Sequence, residues 1–156
     1  MPHHKIRLSR VLVPTDFSPA AEVAYSWAHA MRRAFDAEVI LLHVIDPDVT
    51  GLTPLSTLPM PSTEEGIMER VREEAANLLS RLSTEFPQAR TLIREGSPQA
   101  VIVEVASEVD AHLIVMGTHG RTGLAHAAFG SVAEHVIQHS NIPVLAIRQA
   151  HITPSR

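Results

Sequence analysis

The sequence predicts an α/β fold: an open, doubly wound sheet of five parallel strands with four helices. Three observations lead there. Five short apolar runs alternate with four stretches of helical periodicity, and that alternation implies a parallel sheet joined by right-handed crossovers. Five strands are too few to close an eight-stranded barrel. At 156 residues the chain has the length of one domain, able to bury roughly 68–70% of its unfolded surface, and no internal repeat or linker divides it. Residues 1–148 are expected to form that domain and 149–156 a C-terminal tail.

The first strand is RVLV (Arg10–Val13), ending at Pro14. Ser18 followed by Pro19 reads as an N-cap with proline at the first helical position. Ala20, Val23, Ala24, Trp27, Met31 and Ala34 then recur at helical spacing as one stripe expected to be buried. VILLHV (Val39–Val44) is an unbroken apolar run, as suits a strand covered on both faces. Asp46–Ser62 holds four prolines and no period, so it reads as a long loop. Ser62 with Glu65 forms a capping box for a helix to about Phe86, with Ile67, Val71, Ala75, Leu78, Leu79 and Leu82 as its stripe. A weaker strand spans Thr91–Arg94. Ser97-Pro98 repeats the cap-plus-proline start of a helix continuing over Ala100–Val109. Ala111–Met116 is a strand, Ser131–Ser140 a helix and Pro143–Arg148 the last strand.

Composition narrows the chemistry. The formal charge of −4 argues against nucleic acid or an anionic membrane as the main partner. Lys5 is the only lysine, which removes most mechanisms that place a lysine on a phosphate, and there is no cysteine for thiolate or disulfide chemistry. MPHHKIRLSR lacks the apolar core of a signal peptide, and no apolar run approaches the ~18 residues of a membrane span. A cytoplasmic protein is expected.

The stretch GTHGRTGLAHAAFGS (Gly117–Ser131) holds four of the seven glycines, between a strand and a helix. Such a loop suggests a phosphate cradle. It has no Gly-Lys pair for a Walker loop, and its spacing GxxGxxG is not the dinucleotide fingerprint GxGxxG. Gly117 ends a buried strand, where a tight exit or a close ligand approach would exclude a side chain. Gly130 precedes Ser131, and Ser131-x-x-Glu134 reads as a capping box opening the next helix. A helix start offers unpaired N–H groups and positive dipole charge to a phosphate; the glycines would let further N–H groups turn inward, and Arg121 would add charge. A plain strand–helix connector is the competing reading. At the end of the first strand stands PTDFS (Pro14–Ser18). With order 3-2-1-4-5, strands 1 and 4 flank the point where ligands bind in open sheets, so Asp16 and Gly117 would face each other. Asp16 would accept from a ribose hydroxyl or a base amino group, or serve only to form a turn.

Gly117-x2-Gly120-x9-Gly130-Ser131, together with PTDFS, LLHV, VMGTHGRTGL, GSVAEHVI and NIPVLAIR, resembles the ATP-binding branch of the universal stress protein family over nearly the whole chain. The resemblance implies a Rossmann-like fold and an ATP site. Pro14, Thr15 and Asp16 would lie against the adenosine, and Val44 would meet adenine through its main chain. Gly117, Thr118, His119, Gly120, Arg121, Thr122 and Gly123 would wrap ribose and phosphates. Gly130, Ser131, Val132 and Ala133 would hold phosphates at the helix start, with Mg²⁺ shared among phosphates and water. The resemblance also favours a homodimer through the last strand, Pro143–Arg148, whose uncharged edge otherwise needs covering by the tail.

The residues point to binding rather than turnover. The usual NTPase groups and a GxSxG nucleophile elbow are missing, no aspartate follows the third strand and no lysine the last. Slow ATP hydrolysis needs few protein groups and stays an alternative, as does an interaction module without nucleotide. His135 and His139 have zinc-compatible i, i+4 spacing, but no HExxH glutamate or third ligand accompanies them, and His43 reads as a hydrogen-bonded core histidine. ATP binding is expected to order Asp46–Ser62 and change the surface offered to a downstream protein partner.

Overall fold

The computed structural model describes residues 6–48, 61–119 and 129–148. Five strands, β1 (Arg10–Pro14), β2 (Glu38–Ile45), β3 (Arg90–Glu95), β4 (Leu113–Gly117) and β5 (Val144–Ile147), alternate with α1 (Pro19–Phe35), α2 (Glu64–Ser83), α3 (Pro98–Glu108) and α4 (Ser131–His139). All strand pairs are parallel, in the expected order β3-β2-β1-β4-β5. Most element ends shift by one or two residues from the sequence boundaries, as helix ends do wherever flanking residues compete for the cap.

Alternation along the strands divides the core into two layers. Leu12, Ile40, Leu42, Ile114 and Met116 pack with Ile102, Val105 and Ala106 of α3 and Ala133 and Val136 of α4. Val11, Val13, Val39, Leu41 and Val115 pack on the other face with Ala24 and Ala28 of α1, Leu79 and Leu82 of α2, and Phe86. Burial on both faces explains why β1, β2 and β4 read as unbroken apolar runs.

Three sequence readings are corrected. In the α1 stripe Ala24 is buried and Met31 packs against the core as expected, but Ala21 and Ala28 are the other buried positions, whereas Trp27 is 45% exposed and Ala34 is exposed. The small residues face the sheet because α1 lies too close to β4 for a large side chain. The cap of α2 is Thr63, whose hydroxyl accepts from the Gly66 N–H at 3.1 Å, and not Ser62; the helix ends at Ser83, with Phe86 buried in the turn beyond it. The cap of α4 is Gly130, so Ser131 is already helical and forms no capping box. Ser18 caps α1 as expected, accepting from the Ala21 N–H at 3.3 Å, while Ser97 occupies the cap of α3 without a side-chain bond.

Candidate functional site

The strand order reverses between β1 and β4, and there the sheet opens. Five register pairs join β1 to β2, but only two, Val11↔Leu113 and Leu12↔Ile114, join β1 to β4. Beyond them the strand ends part, leaving a cavity of about 210 Å³. Pro14, Thr15 and Asp16 line it from β1 and its exit loop, and Val44 from β2. Gly117, Thr118 and His119 line it from the end of β4, and Gly130, Ser131, Val132 and Ala133 from the start of α4. The fold thus brings these sequence-selected positions into one crevice. Gly120, Arg121, Thr122 and Gly123 lie outside the described residues.

Five further lining residues escaped the sequence reading: Ala21, Leu42, Pro98, Ile102 and Met116. Leu42 is two residues before Val44, on the same face of the strand, and Met116 directly precedes Gly117 in the chain, so both stood beside sequence-selected positions. Pro98 and Ile102 lie four apart at the start of α3, on one helix face, and only the crossover geometry brings that face over the crevice. These residues make the β2–α3 side of the cavity apolar.

The main chain supplies the polar groups. In a parallel strand both backbone groups of a residue point to the same neighbour, alternating along the chain. The Thr15 N–H donates to the Leu42 carbonyl at 2.8 Å, and the Gly96 N–H to Ile45 at 2.9 Å; even-numbered residues of β2 therefore face β1, and odd ones β3. Val44 faces the β1 side, two residues beyond the last register pair, Pro14↔Leu42. Its N–H and carbonyl look into the crevice.

At the opposite end the start of α4 differs from the other helix starts. Hydroxyls of Ser18 and Thr63 accept from α1 and α2, and prolines at the first positions of α1 and α3 remove a donor. In α4 the cap is Gly130, with no capping side chain and no proline. The first intrahelical bond runs from the Glu134 N–H to Gly130 at 3.0 Å, so the N–H groups of Ser131, Val132 and Ala133 precede the ladder. Together with the helix dipole they make this end of the cavity electropositive.

The two glycines are glycines for packing reasons. A Cβ on Gly117 would fall 2.3 Å from the Ala20 carbonyl oxygen, and one on Gly130 would fall 2.9 Å from that of Thr118. The Gly130 N–H donates to the same Thr118 carbonyl, and the Thr118 N–H to Ile147 at 3.0 Å. Gly117 therefore answers to the close seating of β4 on α1, and Gly130 to the stitch that holds α4 beside β4. Thr118 is buried, and its hydroxyl bonds His119 Nδ1 at 2.9 Å.

The exit loop of β1 is tightly held. Asp16 Oδ1 accepts from the Ser18 N–H at 3.0 Å, and Thr15 Oγ1 from the Phe17 N–H at 2.9 Å. Tyr25 of α1 bonds the same Thr15 hydroxyl. Burial, before the nearby charges of Asp16, Glu22 and Glu85, pushes the Tyr25 phenol above its ordinary range, while the Thr15 bond acts in the opposite direction. Away from the crevice, His135 and His139 stack at 4.0 Å, and His139 Nδ1 bonds the His135 carbonyl at 2.9 Å. Among the described residues no group of three or more His, Asp or Glu side chains is placed to hold a metal ion. No described helix is long and apolar enough to cross a membrane.

The sequence pattern of the universal stress protein family matches residues 8–148. The chain belongs to that family. Universal stress protein MJ0577 of Methanocaldococcus jannaschii is 32% identical, with 92% of this chain and 97% of that protein aligned. A solved structure of MJ0577 superposes with a TM-score of 0.81 at 33% identity, covering 93% and 99% of the two chains. The universal stress protein UspA of Lactobacillus plantarum superposes with a TM-score of 0.74 at 26% identity, over 92% and 100%. This universal stress protein thus shares its α/β fold with solved members of the family.

Proposed function

We propose that this universal stress protein binds ATP in the β1–β4 crevice and acts as a nucleotide-dependent regulatory module rather than an efficient enzyme. The observation that carries the reading is the pairing of two unlike ends in one cavity. One end is apolar, edged by the Val44 main chain; the other presents the N–H groups that open α4. A base needs the first and phosphates the second. Asp16, between them, suits a ribose hydroxyl. Gly117 to Gly123 would wrap the ribose and phosphates. Mg²⁺, held by phosphate oxygens and water, would neutralise part of their charge.

Dimerisation through β5 completes the proposal. β5 is an edge strand with no charged residue, and Val144, Leu145, Ala146 and Ile147 are all half-buried. The other edge, β3, carries Arg90, Arg94 and Glu95, and pairs Arg94 with Glu108 at 2.9 Å. Charge protects one edge, whereas the uncharged residues of the other suit pairing with a second copy. The protein would act in the cytoplasm, with a downstream partner sensing the nucleotide state.

Calorimetric titration of Mg-ATP into the wild type and Asp16→Ala tests the site. Saturable binding, weakened at least tenfold by the substitution, is the expected result. Binding that ignores Asp16 would put the nucleotide elsewhere.

A further inference from the structure

Parallel pairing has a regular continuation that this chain does not take. After the Thr15 N–H donates to Leu42, the next ladder bond would run from the Val44 N–H back to the Thr15 carbonyl. That carbonyl instead accepts from Nδ1 of His43 at 2.8 Å. A carbonyl can only accept, so Nδ1 carries the proton. The imidazole, on the α1–α2 face of the sheet, takes the place of the Val44 N–H and leaves that group turned toward the crevice.

Two further contacts fix the geometry. The Phe17 ring lies on the His43 ring at 4.7 Å between centroids, and Phe17 is held in the left-handed region at φ 60°, which a bulky residue adopts only when its surroundings impose it. The Thr15 side chain is buried, and its hydroxyl is shared by the Tyr25 phenol and the Phe17 N–H. Thr15 is therefore gripped through its carbonyl by His43 and through its hydroxyl by Tyr25, and the turn so formed delivers Asp16 to the cavity.

We infer that His43 and Tyr25 are positioning residues for ligand recognition: by clamping Thr15 they stop β1 from zipping further along β2, which keeps the Val44 main chain open to a base and Asp16 aimed at its sugar. Neither residue touches the ligand. The inference rests on the nucleotide reading above for its ligand, but the clamp itself is a property of the free protein.

The test combines ATP titration with amide hydrogen exchange on the full chain, comparing wild type, His43→Phe, His43→Asn and Tyr25→Phe. Phenylalanine keeps a ring against Phe17 and removes the donor, whereas the asparagine amide can reproduce the Nδ1–H. His43→Phe is expected to lower ATP affinity about tenfold, the scale of one hydrogen bond, and to slow Val44 amide exchange in the free protein as the ladder closes. His43→Asn restores both to within about threefold of wild type. Tyr25→Phe speeds exchange of the Phe17 amide. Equal ATP affinity in His43→Phe and wild type would overturn the inference, as would failure of asparagine to rescue a lost affinity. If wild type binds no ATP, the nucleotide reading falls and exchange alone judges the clamp: a Val44 amide already protected in wild type overturns it, and one that becomes protected only in His43→Phe sustains it.

Discussion

A side chain on Gly117 would lie 2.3 Å from the carbonyl oxygen of Ala20. The last residue of β4 thus sits directly on the first turn of α1, and that contact sets how closely helix and sheet approach. Gly117→Ala forces one of them back, and overpacking of this kind costs about 1–3 kcal/mol. Urea denaturation should show that loss, with a smaller one for Gly130→Ala, whose Cβ would meet Thr118 at 2.9 Å. A Gly117→Ala protein as stable as wild type would refute the packing account. Substituting either glycine is consequently a poor probe of ligand binding, because the fold moves first.

Ser131 offers a cleaner probe. It is exposed, at the first position of α4, and a carboxylate there favours the helix by about 0.3–1 kcal/mol. The same carboxylate would repel a phosphate held by the neighbouring N–H groups. Ser131→Asp is expected to hold or raise the melting temperature while lowering ATP affinity at least tenfold. Loss of stability together with affinity would show damage to the helix instead.

Tyr25 gives a pH signature. Burial raises its phenol above the ordinary value of 10.0, so the folded state keeps this proton more tightly than the unfolded chain. The stabilisation is complete below the ordinary tyrosine range, about pH 10, and is lost as pH rises through the folded value. The stability gap between wild type and Tyr25→Phe, about 0.5–1.5 kcal/mol for a hydrogen bond, should stay constant from pH 7 to 9 and shrink above 10. Denaturation curves at these pH values would expose a gap that widens instead.

The β5 edge can be broken without touching its ladder. The Ile114 N–H bonds Pro143 and the Thr118 N–H bonds Ile147, so odd-numbered residues of β5 face β4 and the Ala146 N–H points outward. Ala146→Pro removes that outward donor, a substitution that edge strands tolerate. Sedimentation should show wild-type dimers and folded monomers of the variant. A wild type that sediments as a monomer at micromolar concentration would remove the dimer from the account.

Much of this was legible in the chain because the relevant signals are local. Apolar runs and proline-led helix starts led to the open parallel sheet, and the expected order 3-2-1-4-5 then placed Pro14, Thr15, Asp16 and Gly117 at one crevice. Other features depend on what a residue meets in space. Ser62 and Thr63 are chemically interchangeable caps, and only the path of the chain chooses Thr63. The stripe through Trp27 kept correct helical spacing and met the core at Ala24 and Met31, but Trp27 and Ala34 lie off it, since alanines on the adjacent face permit the close approach that Gly117 also serves. Trp27→Gln should therefore change stability by less than about 0.5 kcal/mol. The grip of His43 and Tyr25 on Thr15 joins β2, α1 and the β1 exit, and no local pattern announces it.

Native mass spectrometry of the purified protein, with and without Mg-ATP, tests the central claim most directly. The account predicts dimers that take up one nucleotide per chain. A protein that stays unliganded at millimolar Mg-ATP would contradict it, and the crevice would then be a structural junction rather than a nucleotide site.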